Sequence, residues 1–149
     1  MSIHPSLEPV RFLVGTWRGE GHGEYPTIDS FDYTEEVTFT DVGKPFLVYA
    51  QRTWSPEGRP MHIETGYLRV VKYETLEFVL AQPTGQTELA EGPIDLHEVG
   101  FTAELDSRVV NAASASNVAI AGLQPSVPRK MPRWMRLPLM LATNTGVTF

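Results

Sequence analysis

Apolar and polar residues alternate with a period of two along much of this chain, and this pattern constrains its fold more than any other. The stretch "FDYTEEVTF" (31–39) is an example. Its two faces in an extended chain are Phe31, Tyr33, Val37 and Phe39 on one side, and Asp32, Thr34, Glu36 and Thr38 on the other. Such alternation is typical of a β-strand with one face on a core.

Similar stretches recur between turn signals such as "DVGKP" and "SPEGRP". They predict about eight short strands at the roughly 8–12-residue spacing of an all-β barrel or sandwich. The predicted strands are "TWRGEGHG", "FDYTEEVTF", "FLVYAQRTW", "MHIETGYLRVV", "YETLEFVLAQ", "QTELAEG", "FTAELDS" and "SNVAIA". A short helix is expected before them in "PSLEPVRFLVG", capped by Ser6, with Leu7, Val10 and Val14 on one face and its end at Gly15.

Charge divides the chain into two parts. All 18 acidic residues lie at or before Asp106, together with seven basic ones, whereas the last 43 residues carry five basic residues and no carboxylate. The acidic body argues against nucleic acid as a partner. We expect a barrel body over residues 1–121 and a divergent, Pro-rich basic tail over residues 122–149.

The tail does not have the pattern of the closing strands of a barrel. Four prolines fall within 14 residues, at Pro125, Pro128, Pro132 and Pro138. Each proline lacks the N–H that a ladder needs, so this stretch cannot be a central strand. We therefore predict an incomplete or irregular C-terminal end, with the risk of unpaired sheet edges that favour aggregation.

Several classes of site are excluded by residue type. Cysteine is absent, which excludes disulfides and thiolate metal sites. Neither a signal peptide nor a membrane-spanning run occurs, and we predict a cytoplasmic protein of unknown oligomeric state. Glu35 and Glu36 point to opposite faces of one strand and cannot act as a pair. The glycine-rich "GTWRGEGHGEYP" fits neither a P-loop nor a dinucleotide fingerprint.

Linked motifs carry a resemblance to a known family. "GTWRGEG" (15–21) followed by Tyr25-Pro26-Thr27 resembles the nitrobindin family, as do "FDYTEEVTF", "GKPFLVYAQRTW", "MHIETGYLRV" and "VLAQPTGQTELAEG". The resemblance runs in order from about residue 13 to about residue 92 and fades by about residue 121.

The resemblance implies a ten-stranded antiparallel β-barrel, similar to fatty-acid-binding proteins, with haem b at one mouth. Nitrobindins in the ferric state bind nitric oxide and isomerise peroxynitrite to nitrate. The family signature G-x-W-x-G-x-G maps onto Gly15, Trp17, Gly19 and Gly21, which are expected to build the barrel floor and first strand.

The residue that the family uses to hold iron has no counterpart here. Its axial histidine lies near the C-terminus, after a segment of which Met140–Thr143 looks like an altered remnant. No histidine follows His97, and no tyrosine follows Tyr73. Haem b is therefore the cofactor implied by resemblance, while no residue is assigned as a catalytic or metal ligand.

The four histidines differ in what their positions predict. His62 shares a strand face with Glu64, and the family places this Met-His pair at the distal side of the cavity mouth. We expect His62 to line the cavity. His4 is expected at the surface, His22 in a loop or at the surface, and His97 in a solvated turn.

Three functions stay open at this point. The first is a nitrobindin-like protein without a proximal ligand, inactive or weak in haem binding. The second is a non-enzymatic barrel for a small apolar ligand, with Ile63, Tyr67, Phe78 and Leu80 as lining residues. The third is an active haem b peroxynitrite isomerase that uses His62 or His22 as its ligand.

Overall fold

One antiparallel sheet contains most of the chain. The computed structural model describes residues 3–25, 28–97, 100–111 and 127–130. Within them, each strand pairs with the next in chain order. The strands are β1 (Gly15–Tyr25), β2 (Ile28–Lys44), β3 (Phe46–Trp54), β4 (Pro60–Val71), β5 (Thr75–Gln82), β6 (Gln86–His97), β7 (Gly100–Asn111) and β8 (Val127–Lys130). The predicted all-β antiparallel fold is confirmed; the predicted strand "SNVAIA" lies outside the described residues.

The alternation read from the sequence sets which side chains point inward. In β2 the buried positions are Glu35, Val37 and Phe39, and exposed or half-buried polar residues lie between them. Glu35 and Glu36 do point to opposite faces. The predicted alternation therefore holds in β2, and it places one carboxylate inside.

A 3₁₀ helix over Pro5–Leu13 precedes the sheet. Leu7, Val10 and Leu13 are its buried residues, so Leu13 takes the place predicted for Val14. The reason is geometric, because a 3₁₀ helix has three residues per turn and aligns positions i, i+3 and i+6. The predicted Ser6 cap is also wrong: His4 is the N-cap residue, and its Nδ1 accepts a hydrogen bond from the Ser6 amide at 3.3 Å.

The helix and Trp17 cover the end of the sheet at which β1 begins. The indole Nε1 of Trp17 donates to the carbonyl oxygen of Leu13 at 2.8 Å, and its ring packs against the core. We call this end the floor. The mouth is the opposite end, where β1 ends and the β3–β4 and β5–β6 turns lie.

The inward face of the floor half is apolar. Its buried side chains form one cluster, with two aromatic contacts at its centre: Phe39–Tyr49 at 5.2 Å and Tyr49–Phe78 at 4.6 Å between ring centroids. The cluster consists of Leu7, Val10, Leu13, Val37, Phe39, Leu47, Tyr49, Leu68, Val70, Leu76, Phe78, Leu80, Ala90, Ile94, Ala103 and Leu105. Dense packing here leaves the mouth half as the place for chemistry.

Two glycines are required by close approach of other atoms. A methyl group at Gly21, on the inward face of β1, would overlap the phenol ring of Tyr33 directly across the ladder. A methyl group at Gly66 of β4 would overlap the backbone carbonyl of Val79 in β5. Glycine lets neighbouring groups come this close because it has no Cβ.

Two predicted turns are partly strand. β2 continues through "DVG" to Lys44, with an irregular register after Asp41 and a left-handed Gly43 at φ 69°. β6 continues to His97, so the prediction that His97 lies in a turn is wrong. In both places the backbone keeps its ladder pairing further than the turn residues suggested.

β8 lies inside the segment 122–149. Val127–Lys130 pairs antiparallel with β7, with Pro128 opposite Asp106. Among the described strands β7 is its neighbour, and the expectation that the Pro-rich stretch is not central stays a prediction, because residues 112–126 and 131–149 lie outside the described part. In the described part of the chain, no helix has the length and hydropathy needed to cross a membrane.

The two glycine contacts predict unequal costs for adding one methyl group. Gly66→Ala should lower the free energy of unfolding by about 3 kcal/mol or more, since a backbone carbonyl cannot move aside. Gly21→Ala should cost about 1 kcal/mol, since the Tyr33 ring can turn away. Urea unfolding of both variants measures these losses in free energy of unfolding. Combining Tyr33→Leu with Gly21→Ala should recover part of the Gly21→Ala loss. Equal costs would contradict the assigned contacts.

Candidate functional site

The inward face near the mouth is polar. Four buried residues of the described chain carry polar or charged side chains: Glu35, Thr53, Glu64 and Gln86. The first three come from the adjacent strands β2, β3 and β4, and Gln86 begins β6 beside the β5–β6 turn. The interior is therefore divided along the strands, with an apolar floor half and a mouth half that contains the buried polar side chains.

Hydrogen bonds join the polar residues of β2, β3 and β4 into a network. The hydroxyl of Tyr49 donates to Oε1 of Glu64 at 2.9 Å and lies 3.3 Å from Oε1 of Gln51. The amide Nε2 of Gln51 donates to Oε2 of Glu35 at 2.7 Å. Because both carboxylates are more than 90% buried, these bonds offset the cost of removing them from water.

His62 stands at the edge of this network, on the inward face of β4. Its Nε2 lies 3.5 Å from Oε2 of Glu64, and its side chain is 42% exposed. The Thr53 hydroxyl accepts a hydrogen bond from the His62 amide at 2.9 Å and lies 3.5 Å from its carbonyl oxygen. The structure thus places His62 at the mouth, partly open to solvent and beside a buried carboxylate.

The other three histidines lie elsewhere. His22 is on the outer face of β1, where its Nδ1 is 2.7 Å from Oδ1 of Asp32. His4 is part-buried in the helix cap and hydrogen-bonds the Ser6 hydroxyl at 2.9 Å, contrary to the expected surface position. His97 ends β6 at the floor end, where it pairs with Gly100.

Two of the four residues proposed to line an apolar cavity face the wrong way. Ile63 and Tyr67 are each 49% exposed on the outer face of β4. Their odd positions alternate with the inward set that includes His62 and Glu64, which explains the error. Phe78 and Leu80 do point inward and are buried in the floor half.

The β3–β4 turn adds one perturbed carboxyl group at the mouth. A hydrogen bond from the Ser55 hydroxyl at 2.8 Å lowers the pKa of Glu57, and Arg59 contributes further. The turn itself is closed by a bond from the Gly58 amide to the Ser55 carbonyl oxygen at 2.8 Å. Glu57 is exposed and lies outside the interior network.

The sequence pattern pointed to Glu64 as a neighbour of His62 on one face but did not single out Tyr49, Gln51 or Glu35. The available signal was the alternation of faces along a strand, because residues two positions apart lie on the same face. Glu35 has the parity of Val37 and Phe39, and Gln51 that of Tyr49. Their mutual contacts depend on the register of three strands, which parity within a single strand does not supply.

Comparison with known proteins identifies the family. Residues 6–127 match the THAP4-like, heme-binding β-barrel domain. The chain belongs to this family, the nitrobindins. The predicted resemblance is thereby confirmed.

This nitrobindin homologue is similar to proteins named peroxynitrite isomerase. It is 45% identical to a peroxynitrite isomerase of Nocardia farcinica, over 81% of this chain and 73% of that protein. It is 46% identical to peroxynitrite isomerase 1 of Mycolicibacterium paratuberculosis, over 91% and 79%. The crystal structure of Rv2717c from M. tuberculosis superposes with a TM-score of 0.73 at 42% identity, covering 76% and 74% of the two chains.

Potential metal ligands are dispersed in the part of the chain that the structure describes. No group of three or more His, Asp or Glu side chains there is arranged to hold a metal ion. The nearest approach to such a group at the mouth is the pair His62 and Glu64.

The buried bond between Gln51 and Glu35 predicts a measurable coupling. Gln51→Leu removes a donor to a buried carboxylate and should lower the free energy of unfolding by about 1–3 kcal/mol. In a Glu35→Gln background the same change should cost less, with a coupling of about 1 kcal/mol.

Urea unfolding at neutral pH measures the four members of this cycle. The control is Arg18→Gln, which removes the exposed ion pair with Glu36 at 2.7 Å on the outer face. That change should cost about 1 kcal/mol or less. Equal costs of Gln51→Leu in both backgrounds would mean that the bond contributes nothing.

Proposed function

We propose that this chain is a nitrobindin-family protein that keeps the distal side of the family's haem site and lacks the proximal histidine. It would then bind haem weakly or not at all and have little peroxynitrite isomerase activity. The proposal combines family membership with the positions of the four histidines.

The positions of the histidines carry the proposal. Of the four in the sequence, His62 is the one on the inward face at the mouth. His22 points outward to Asp32, His4 caps the helix, and His97 ends β6 at the floor. With His62 on the distal side, a proximal bond to the iron would need a second histidine on the opposite side of the porphyrin.

The chemistry around His62 also supports weak haem binding. Carboxylates and amides joined to one another face the mouth half beside the rings of Phe31 and Tyr33, and Glu64 lies against His62. An apolar porphyrin gains less from burial beside charged carboxylates than beside apolar side chains. These residues therefore do not fit a haem held by a proximal imidazole, and we derive no reaction step through haem.

The same observations weigh against the two alternatives. A haem enzyme liganded by His22 would require β1 to turn that side chain inward. A carrier of an apolar ligand loses Ile63 and Tyr67 as lining residues, and buried carboxylates lie in the mouth half. His62 as a sole iron ligand is the alternative that the next experiment tests directly.

Hemin titration tests the proposal. Added ferric haem should give a broad Soret band without the sharp, saturable form of an imidazole-ligated haem, because no proximal imidazole is available. His62→Ala should leave that spectrum unchanged. A sharp band that His62→Ala abolishes would contradict the proposal and assign His62 as the ligand.

Peroxynitrite decay gives a second readout. The hemin-treated protein should accelerate decay no more than the same amount of free hemin, while the Nocardia farcinica relative serves as the positive control. Acceleration comparable to that relative would show that the activity is retained and would refute the proposed loss.

A further inference from the structure

We propose that Thr53 and Glu64 are positioning residues for His62, with Thr53 fixing its backbone and Glu64 its ring. Together they would hold the imidazole at the mouth, facing the occupant of the barrel. The inference rests on the proposed function in one respect, which is that His62 is the residue on the ligand's side.

A β-bulge makes His62 different from the other inward residues of β4. Arg52 pairs with Ile63 and Trp54 with Pro60, so that the single residue Thr53 of β3 lies opposite both Met61 and His62. A bulge of this kind bends the strand and re-aims a side chain. Met61, 45% exposed, points outward, and His62 points to the mouth.

The Thr53 side chain replaces the ladder bonds that the bulge disrupts. Its hydroxyl oxygen accepts from the His62 N–H at 2.9 Å, and the hydroxyl lies 3.5 Å from the His62 carbonyl oxygen. Thr53 is itself 92% buried, with 8% exposure, and pairs with Glu35 on its other side. One hydroxyl thus engages both backbone groups of His62 from a rigid position.

Glu64 acts on the ring. It is two residues from His62 on the same face, its Oε1 is held by the Tyr49 hydroxyl at 2.9 Å, and its Oε2 lies 3.5 Å from Nε2 of His62. With 2% exposure, this carboxylate is confined by its surroundings. A fixed carboxylate beside Nε2 restricts the orientation of the ring, and the partner of one ring nitrogen also sets the role of the other.

NMR of the haem-free protein tests this without any cofactor. The four histidines give four ring Cε1–H cross-peaks, and His62→Gln identifies the one that belongs to His62. Thr53→Val removes the hydroxyl at nearly constant volume, so it should shift or broaden the His62 peak and leave the other three in place. Thr53→Ser, which keeps the hydroxyl, should restore the original peak.

Two further variants separate positioning from general loosening of the sheet. Glu64→Gln keeps the side-chain size but removes the charge, and it should also move the His62 peak selectively. Thr87→Val is the matched control, because its hydroxyl lies 3.5 Å from the Val110 carbonyl oxygen in the β6–β7 pair, away from His62. It should leave the His62 peak unchanged.

The outcomes discriminate clearly. Selective movement in Thr53→Val and Glu64→Gln, with rescue by Thr53→Ser, supports the inference. An unchanged His62 peak in both variants overturns it, as does equal movement in Thr87→Val. If Thr53→Val does not fold, Glu64→Gln and Thr53→Ser decide alone. Saturable hemin binding would overturn the proposed function and leave this result unaffected, because these spectra are recorded without haem.

Discussion

The inward face of a single curled sheet has to be filled along its whole length, and this requirement organises the protein. Each strand runs from floor to mouth, so every strand must supply side chains suited to both halves. In β4, Leu68 and Val70 pack in the floor half, while Glu64 and His62 follow at the mouth. In β2, Val37 and Phe39 precede Glu35 in the same sense. In both strands, the apolar core therefore gives way to the candidate site at a similar distance from the floor.

Neighbouring strands supply hydrogen-bond partners for the two carboxylates buried above the apolar core. Glu64 depends on Tyr49, and Glu35 depends on Gln51, both from β3. Tyr49 has a double role, since its ring packs between Phe39 and Phe78 while its hydroxyl reaches the network. The packing of the floor therefore determines where the hydroxyl lies, and the hydroxyl in turn fixes Glu64 below His62.

The family relationship and the site chemistry lead to different expectations about haem. Identity near 45% to peroxynitrite isomerases places this chain in a haem-binding barrel family. The described interior nevertheless offers one imidazole at the mouth, on a β-bulge, beside a buried carboxylate. A fold shared within a family carries the scaffold, whereas reactivity depends on the particular donors at the site. His62, Thr53 and Glu64 therefore form the part of the site whose arrangement can be measured without haem.

The sequence by itself determined strands β1 to β7 apart from their ends, because period-two alternation and turn residues are local properties of the chain. It also determined that Glu35 and Glu36 part to opposite faces, that His62 and Glu64 share one, and that the chain belongs to the nitrobindins. Only the tertiary structure decided that the helix is 3₁₀ with Leu13 inside, that Ile63 and Tyr67 point outward, and that β2 and β6 run through predicted turns. It alone joined Tyr49, Gln51 and Glu35 to Glu64, and set Thr53 against His62. These contacts depend on the register and bulges between strands, which a pattern within one strand does not encode.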